Sequence, residues 1–522
     1  MMMYFCYSVM LLISFLYTIP CISQTPDPTL TRQLRDHVER VSKELGKKGE
    51  IFFSVYRVPD AQEIFSKGGD TPVHAASVQK LIITYAALRK LGAEYTIPTE
   101  FYTEYLPSDR DPRLDVSMGM SDRKVAPAES LGALYVRTYG NPTMQYEDLQ
   151  GIARELRARG VNGVTDLVVD DSLFLEESLP TGDAPYQAAQ SSASLEFNSY
   201  RVLVTPSASG MPPIISTSAG LFGTVLNRSK SLSGKGESLE IIQNPSFDLF
   251  PRSRSIGEIT PQPLNLQING RIGLLESTWE KYHSHPDPFL YFILSLKKAL
   301  DSEGISVSGA LRRAKVPSNT NLLFVHESEP LYSILSKLNR FSSNFIAGQL
   351  LYLVGQDENG YFSRKRGLEI LKELLMEIDA FPENSNLDDA SGLSGANRIT
   401  PNQMVKLLTE VEKDISISPT FMGSLSRFGL SGTLKYRQLR KDEYIPSVKS
   451  SIYLDQEQRS QGVWAKTGTV DGVSSVAGYL ERYQGFRLAF MIVLKGTFEK
   501  SRAVEIENDI IKILLGFNNK DL

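Results

Sequence analysis

The two ends of this chain carry matching halves of a single sheet, and that pairing constrains the fold more than any other feature. Near the start, Leu34, Val38, Val41 and Leu45 recur at helical spacing, which predicts an amphipathic helix over 30–46, ended by Gly46 and Gly49. Ile51-Phe52-Phe53-Ser54-Val55-Tyr56 then reads as a strand. Near the finish, 476–480 and 488–494 read as strands joined by a turn around Gln484-Gly485. Residues 501–515 follow as a helix with Val504, Ile506, Ile510, Ile511 and Leu514 apolar. Helix–strand at one end and strand–strand–helix at the other fit one antiparallel sheet covered by helices, an α+β arrangement. Such a sheet joins the termini and encloses everything between them.

What it encloses has a different texture. Residues 96–284 hold short β-like runs, such as Asp166-Leu-Val-Val-Asp170 and Arg201-Val-Leu-Val-Thr205, and Ser/Gly/Pro-rich loops at 206–220 and 229–237. The stretch 145–159 is the exception and reads as a helix. From about 287 the helical pattern returns. The expected division is a segment 1–23, a main domain of 24–95 and 285–522, a β-rich insertion of 96–205 and 270–284, and a second insertion, 206–269, nested in the first. No fixed-period repeat or low-complexity tract interrupts this pattern.

Residues 1–23 carry no charged side chain. Followed by polar Gln24-Thr25-Pro26-Asp27-Pro28, they predict a secretory signal peptide cut after Ser23, although a basic leading segment is missing. A retained anchor, a peripheral membrane contact and lipidation at Cys21 are alternatives; Ile19-Pro20 is a poor match to a lipidation signal. The two cysteines are Cys6 and Cys21, so the body of the chain holds no disulfide, thiol nucleophile or zinc–thiolate site. Export with an almost cysteine-free body predicts the bacterial cell envelope or periplasm. The net charge of −4 offers no basic field to nucleic acid.

None of the five histidines sits in a metal motif, and His283-x-His285 has no evident third ligand. A serine nucleophile therefore needs another base, and lysine can serve once it is desolvated. Ser77-Val-Gln-Lys80 places both groups on one helical face where an apolar run begins. The interval alone is common: Ser121–Lys124 and Ser295–Lys298 repeat it, and composition predicts about two chance hits. Ser342-Ser343-Asn344 precedes the apolar run Phe345-Ile346-Ala347 and also reads as a helix N-cap. Lys466-Thr467-Gly468-Thr469 lies on a strand-like stretch with a glycine where a ligand could approach. A chance K-T-G is expected only about 0.1 times.

In chain order these are S-x-x-K, S-x-N and K-T-G, the set shared by β-lactamases and penicillin-binding proteins. Their first residues stand 265 and 124 apart, and the first gap leaves room for the insertion. The chain resembles the class C low-molecular-mass penicillin-binding proteins, the D-alanyl-D-alanine carboxypeptidase/endopeptidase family with inserted domains. Asp166–Ser172, Ser194-Leu-Glu-Phe-Asn198, Asp389-Ala-Ser-Gly-Leu-Ser394 and Gly432-Thr-Leu extend the resemblance.

The resemblance implies a penicillin-binding/β-lactamase-like transpeptidase domain and a peptidoglycan-directed serine D,D-peptidase that β-lactams acylate. It implies Ser77 as nucleophile, Lys80 as base, Ser342 as proton relay and Asn344 as a holder of Lys80 and the peptide. Lys466 and Thr467 would take the terminal carboxylate. The N–H groups of Ser77 and Thr469 would form the oxyanion hole beside Gly468. Asp170 or Asp171 would bind a side-chain amine of the stem peptide. Neither metal nor cofactor is implied.

Three departures stand out. Ala347-Gly348 replaces a common Ala-Glu, Gly395 stands where relatives carry an arginine for a side-chain carboxylate, and Asp471 replaces a glutamine. Little preference for that carboxylate is expected, unless Arg398 folds back to replace the missing cation. A non-catalytic peptidoglycan-binding protein of the same fold, and a serine β-lactamase or esterase, are the alternative functions.

Overall fold

The computed structural model describes residues 28–58, 60–106, 131–176, 178, 181–218, 223–244, 256–260, 264–437, 462–481 and 487–516. The expected signal segment, both cysteines and the Ser121–Lys124 interval lie outside these residues.

The expected sheet forms. Its six strands run in the order Ser426–Arg427, Val463–Val470, Val473–Glu481, Arg487–Gly496, Gly49–Arg57, Gln62–Lys67, all antiparallel. The N-terminal strand pairs with the C-terminal one from Gly49↔Gly496 to Arg57↔Leu488, so the two ends share one sheet. The strand Arg487–Gly496 reads as a continuous apolar run because both its faces are buried. Leu488, Phe490, Ile492 and Leu494 point toward the terminal helices Pro28–Leu45 and Lys500–Leu515. Ala489, Met491 and Val493 point into the opposite core, built on Lys80–Leu91, Leu331–Phe341, Asn344–Val354, Arg364–Glu377 and Pro401–Lys413.

The middle of the chain builds a second core. Its six-stranded sheet runs Gly257–Glu258, Leu311–Arg313, Leu167–Asp170, Leu134–Thr138, Pro98–Thr103, Asn321–Glu327. Leu311–Arg313, Leu167–Asp170 and Leu134–Thr138 are parallel. Parallel neighbours need a crossover, and Tyr146–Ala158 supplies the one between Leu134–Thr138 and Leu167–Asp170.

Here the structure differs from the expected division, which returned the chain to the main domain at 285. The helix Pro288–Ser302 buries Phe289, Leu290, Phe292, Ile293 and Leu296 in the insertion's core, and two later strands complete the insertion's sheet. The chain rejoins the main core at Leu331. Helical periodicity shows that a face is buried; it does not show against which sheet.

The nested part shifts likewise. Val225–Asn227, Lys230–Leu232, Glu237–Asn244 and Asn265–Gly273 form their own four-stranded sheet, which extends past the expected end at 269. Ile214–Thr217 instead pairs with Ser199–Thr205 of the surrounding insertion. His283 and His285 stack on Tyr200 and Tyr291, and burial lowers their pKa values to about 4 and about 3. They are neutral packing groups.

Candidate active site

The three motifs converge where the main sheet meets the helical core. Ser77 lies in a 3₁₀ turn, Ala76–Gln79, that runs into the helix Lys80–Leu91. In a 3₁₀ turn residues three apart eclipse, which brings Lys80 Nζ to 2.8 Å from Ser77 Oγ. The same amine lies 2.7 Å from Asn344 Oδ1 and 2.7 Å from the carbonyl oxygen of Ser391. Those two oxygens accept only, whereas the Ser77 hydroxyl can donate. A neutral Lys80 satisfies all three neighbours only with its lone pair facing Ser77.

The protonation state fits that geometry. Burial lowers the Lys80 pKa from 10.5 to about 7, and the negative charge of Asp389 opposes the shift. Lys466 is likewise held well below its ordinary value, by burial and then by the charge of Lys80. An arriving carboxylate would favour the charged form of Lys466.

The middle motif resolves its own ambiguity. Ser343, not Ser342 or Asn344, caps the helix Asn344–Val354, accepting from the Ile346 N–H at 3.2 Å. That leaves the flanking side chains for other contacts. Ser342 has a left-handed backbone, with φ of 58°. Its Oγ accepts from Lys466 Nζ at 2.9 Å.

Two glycines permit the close approach. A Cβ on Gly468 would lie 2.8 Å from both the Ala75 carbonyl oxygen and the Ser77 nitrogen. Gly392, with φ of +79°, would place a Cβ 2.0 Å from the Ala76 carbonyl oxygen. The K-T-G strand and the Ser391-Gly392-Leu393 loop therefore pack directly on the turn that carries Ser77. The strand Ser426–Arg427 pairs only with Ala465 and Trp464. Beyond them, among the described residues, that edge of Lys466–Val470 has no strand partner. Its backbone groups, Thr469 included, lie on an edge open to an extended peptide.

Sequence reasoning missed three contributors. Ser391 lends Lys80 a carbonyl, and Thr433 Oγ1 accepts from Thr467 Oγ1 at 2.7 Å. Asp389 ties the Ser391 loop together, accepting from Gly392 N, Ser394 N, Ser391 Oγ and Asn397 Nδ2 at 2.7–3.1 Å. Their only sequence signal is the Asp-x-Ser-Gly-Leu-Ser and Gly-Thr-Leu strings.

Asp170 and Asp171 do not join the cluster. Asp170 accepts from Ser172 N, Ser172 Oγ and Val316 N, and Asp171 forms a two-pronged ion pair with Arg313. Asp171 lines a small cavity of about 70 Å³, and an amine arriving there would compete with Arg313. Arg398 turns onto its own loop, its Nη1 donating to the Gly395 and Asn397 carbonyl oxygens, both at 2.7 Å.

An all-antiparallel sheet with helices on both faces, holding a serine beside a buried lysine and a K-T-G strand, defines the penicillin-recognising serine acyltransferases. The chain belongs to the D-Ala-D-Ala carboxypeptidase 3 (S13) family, whose profile matches residues 30–515. A D-alanyl-D-alanine carboxypeptidase of Actinomadura sp. (strain R39) is 27% identical over 496 residues, 91% of this chain and 83% of that protein. D-alanyl-D-alanine carboxypeptidase DacB of Haemophilus influenzae is 22% identical over 484 residues, 88% of each chain. The crystal structure of penicillin binding protein 4 (dacB) from Haemophilus influenzae superposes with a TM-score of 0.70 at 20% identity, covering 92% of this chain and 99% of that one.

Proposed function

We propose that this chain is a serine D,D-peptidase of peptidoglycan that works through an acyl-enzyme on Ser77. The observation that carries the reading is the buried Lys80 amine, hydrogen-bonded to the neutral oxygens of Asn344 and Ser391 and 2.8 Å from the Ser77 hydroxyl. A base needs a free lone pair at working pH, and burial supplies it.

Lys80 takes the Ser77 proton as Oγ attacks the carbonyl between two D-alanine residues. The Ser77 and Thr469 N–H groups receive the developing oxyanion; such a donor contributes roughly 3 kcal/mol to transition-state stabilisation. Lys466, Thr467 and Thr433 hold the terminal carboxylate of the leaving D-alanine. Ser342, between Lys466 and the leaving amine, passes the proton on as the C–N bond breaks. Water then attacks the ester and restores Ser77. A cross-linked peptide presents the same bond, so one mechanism serves both carboxypeptidase and endopeptidase substrates. A β-lactam offers a strained amide to the same serine, which favours covalent binding. This chemistry places the protein in the cell envelope; a periplasmic location rests on residues 1–23 acting as a signal.

Intact-mass measurement with benzylpenicillin, followed by muropeptides, tests the reading. A long-lived adduct on Ser77 and release of D-alanine or of cross-linked stems is expected. Rapid turnover of penicillin would make it a β-lactamase, and no adduct in folded protein would make it non-catalytic.

A further inference from the structure

Two serines stand side by side on the strand Val473–Glu481 and point to opposite faces of the main sheet, as successive strand residues do. Ser474 donates to Glu507 of the C-terminal helix at 2.7 Å. Ser475 donates to the Ala75 carbonyl oxygen, also at 2.7 Å, two residues before Ser77. Both side chains are buried, and the mechanism above uses neither.

The path of the Ser475 hydroxyl is narrow. Its cross-strand partner is Gly468 of the K-T-G stretch. A Cβ on Gly468 would stand 2.5 Å from Ser475 Oγ and 2.8 Å from the Ala75 carbonyl oxygen. Glycine therefore leaves the two oxygens free to meet. The same carbonyl accepts from the Val78 N–H at 3.3 Å, across the turn that carries Ser77. Inside that turn Ala76 has φ of 47°, in the left-handed region that a residue with a Cβ rarely enters. Such a conformation persists only where the surroundings hold it. Ser475 supplies a hold from an interior strand, paired along both of its edges.

We infer that Ser475 is a positioning residue for acyl transfer: its hydroxyl fixes the Ala75–Ala76 turn and so aims the Ser77 N–H at the developing oxyanion. The inference rests on the D,D-peptidase reading and deepens it. Lys466, Thr467 and Thr433, which would hold the terminal carboxylate, take no part in this hydrogen bond. Loss of the hold should therefore weaken transition-state stabilisation and spare substrate binding.

The test is hydrolysis of a peptide ending in D-Ala-D-Ala, with kcat and KM read separately. Acylation and deacylation both pass through an oxyanion, so kcat reports the hold whichever step limits it. Ser475→Ala should lower kcat by about tenfold or more and change KM by less than about twofold. Ser474→Ala removes an equal buried hydroxyl from the opposite face and should keep kcat within about twofold of the wild type. Glycine enters the left-handed region freely, so Ser475→Ala/Ala76→Gly should recover part of the lost kcat. If Ser475→Ala fails to fold, Ser475→Cys, similar in size but a weaker donor, takes its place and should also lower kcat. An unchanged kcat, or a rise in KM alone, overturns the inference. So does an equal fall in Ser474→Ala, or a double variant that recovers nothing. The penicillin adduct on Ser77, read in the same wild-type preparation, keeps the two claims apart: its absence overturns the D,D-peptidase reading instead.

Discussion

The turn entering Lys80–Leu91 and the helix Pro288–Ser302 each set a serine three residues before a lysine, Ser77–Lys80 and Ser295–Lys298. In the second pair the serine hydroxyl is buried with no hydrogen-bond partner among the described residues, while the lysine lies exposed. In the first pair both groups meet across 2.8 Å, and the lysine is fully buried. The difference lies in the surroundings. Ser295 packs into the core of the insertion, whereas Ser77 faces a wall assembled from Asn344, the Ser391 loop and the Lys466 strand. Spacing brings two side chains to one face; burial is what lowers the pKa of the lysine.

The sharpest way to break this comparison is to remove each serine in turn. Ser77→Ala should abolish both the penicillin adduct and peptidase activity, while Ser295→Ala should leave the adduct intact and raise stability by about 1 kcal/mol, because an unsatisfied buried hydroxyl is gone. Peptide mapping of the adduct and denaturant titration read the two effects. An adduct on Ser295 would refute the distinction.

Next in size is the pH response of the enclosed lysine. Acylation by benzylpenicillin should rise as pH passes about 7, where Lys80 loses its proton, and should be lost in Lys80→Met. Stability gives an independent readout with a definite sign. Lys80 has a folded-state pKa below its unfolded value, so between about pH 7 and 10.5 the unfolded chain binds more protons. The wild type should therefore gain stability relative to Lys80→Met across that window. A flat difference would show that Lys80 is charged in the fold.

Packing of the wall is the third lever. Gly468→Ala forces a methyl to within 2.8 Å of the Ser77 nitrogen, so the strand must shift away from Ser77. A displacement of about 1 Å costs roughly 100-fold in kcat/KM. An alanine variant with unimpaired kinetics would mean that this close approach is not needed.

The smallest expected effect separates neighbours in the middle motif. Ser343→Ala removes a helix cap and should cost about 1 kcal/mol of stability with kcat nearly unchanged. Ser342→Ala should instead lower kcat and leave stability close to that of the wild type. Reversed results would exchange the roles assigned to the two serines.

Much of this was legible before folding. The terminal helices and strands follow from periodicity: Leu34, Val38, Val41 and Leu45 share one face, and their burial in the core behind the sheet requires no distant information. The Ser77–Lys80 interval, the polar triplet at 342–344 and the glycine of Lys466-Thr467-Gly468 named the groups that meet in the candidate site, because helix geometry fixes short-range side-chain relations and glycine marks a close approach. The end of the insertion was not legible. Phe289, Leu290 and Phe292 declare a buried helix face, but hydrophobic burial is non-directional and names no partner sheet.

The same limit applies at the site. Sequence order identified Ser77, Lys80, Ser342, Asn344 and Lys466; only tertiary structure decided which atoms meet. It brought the Ser391 carbonyl to Lys80 across an interval of 311 residues and gave the capping role to Ser343. It bound Asp171 to Arg313 and set the Ser475 hydroxyl against the Ala75 carbonyl. The physical reason is range. Backbone geometry determines relations over a few residues, whereas a pKa, a committed carboxylate or an empty cavity depends on every group within a few ångströms, wherever it stands in the chain.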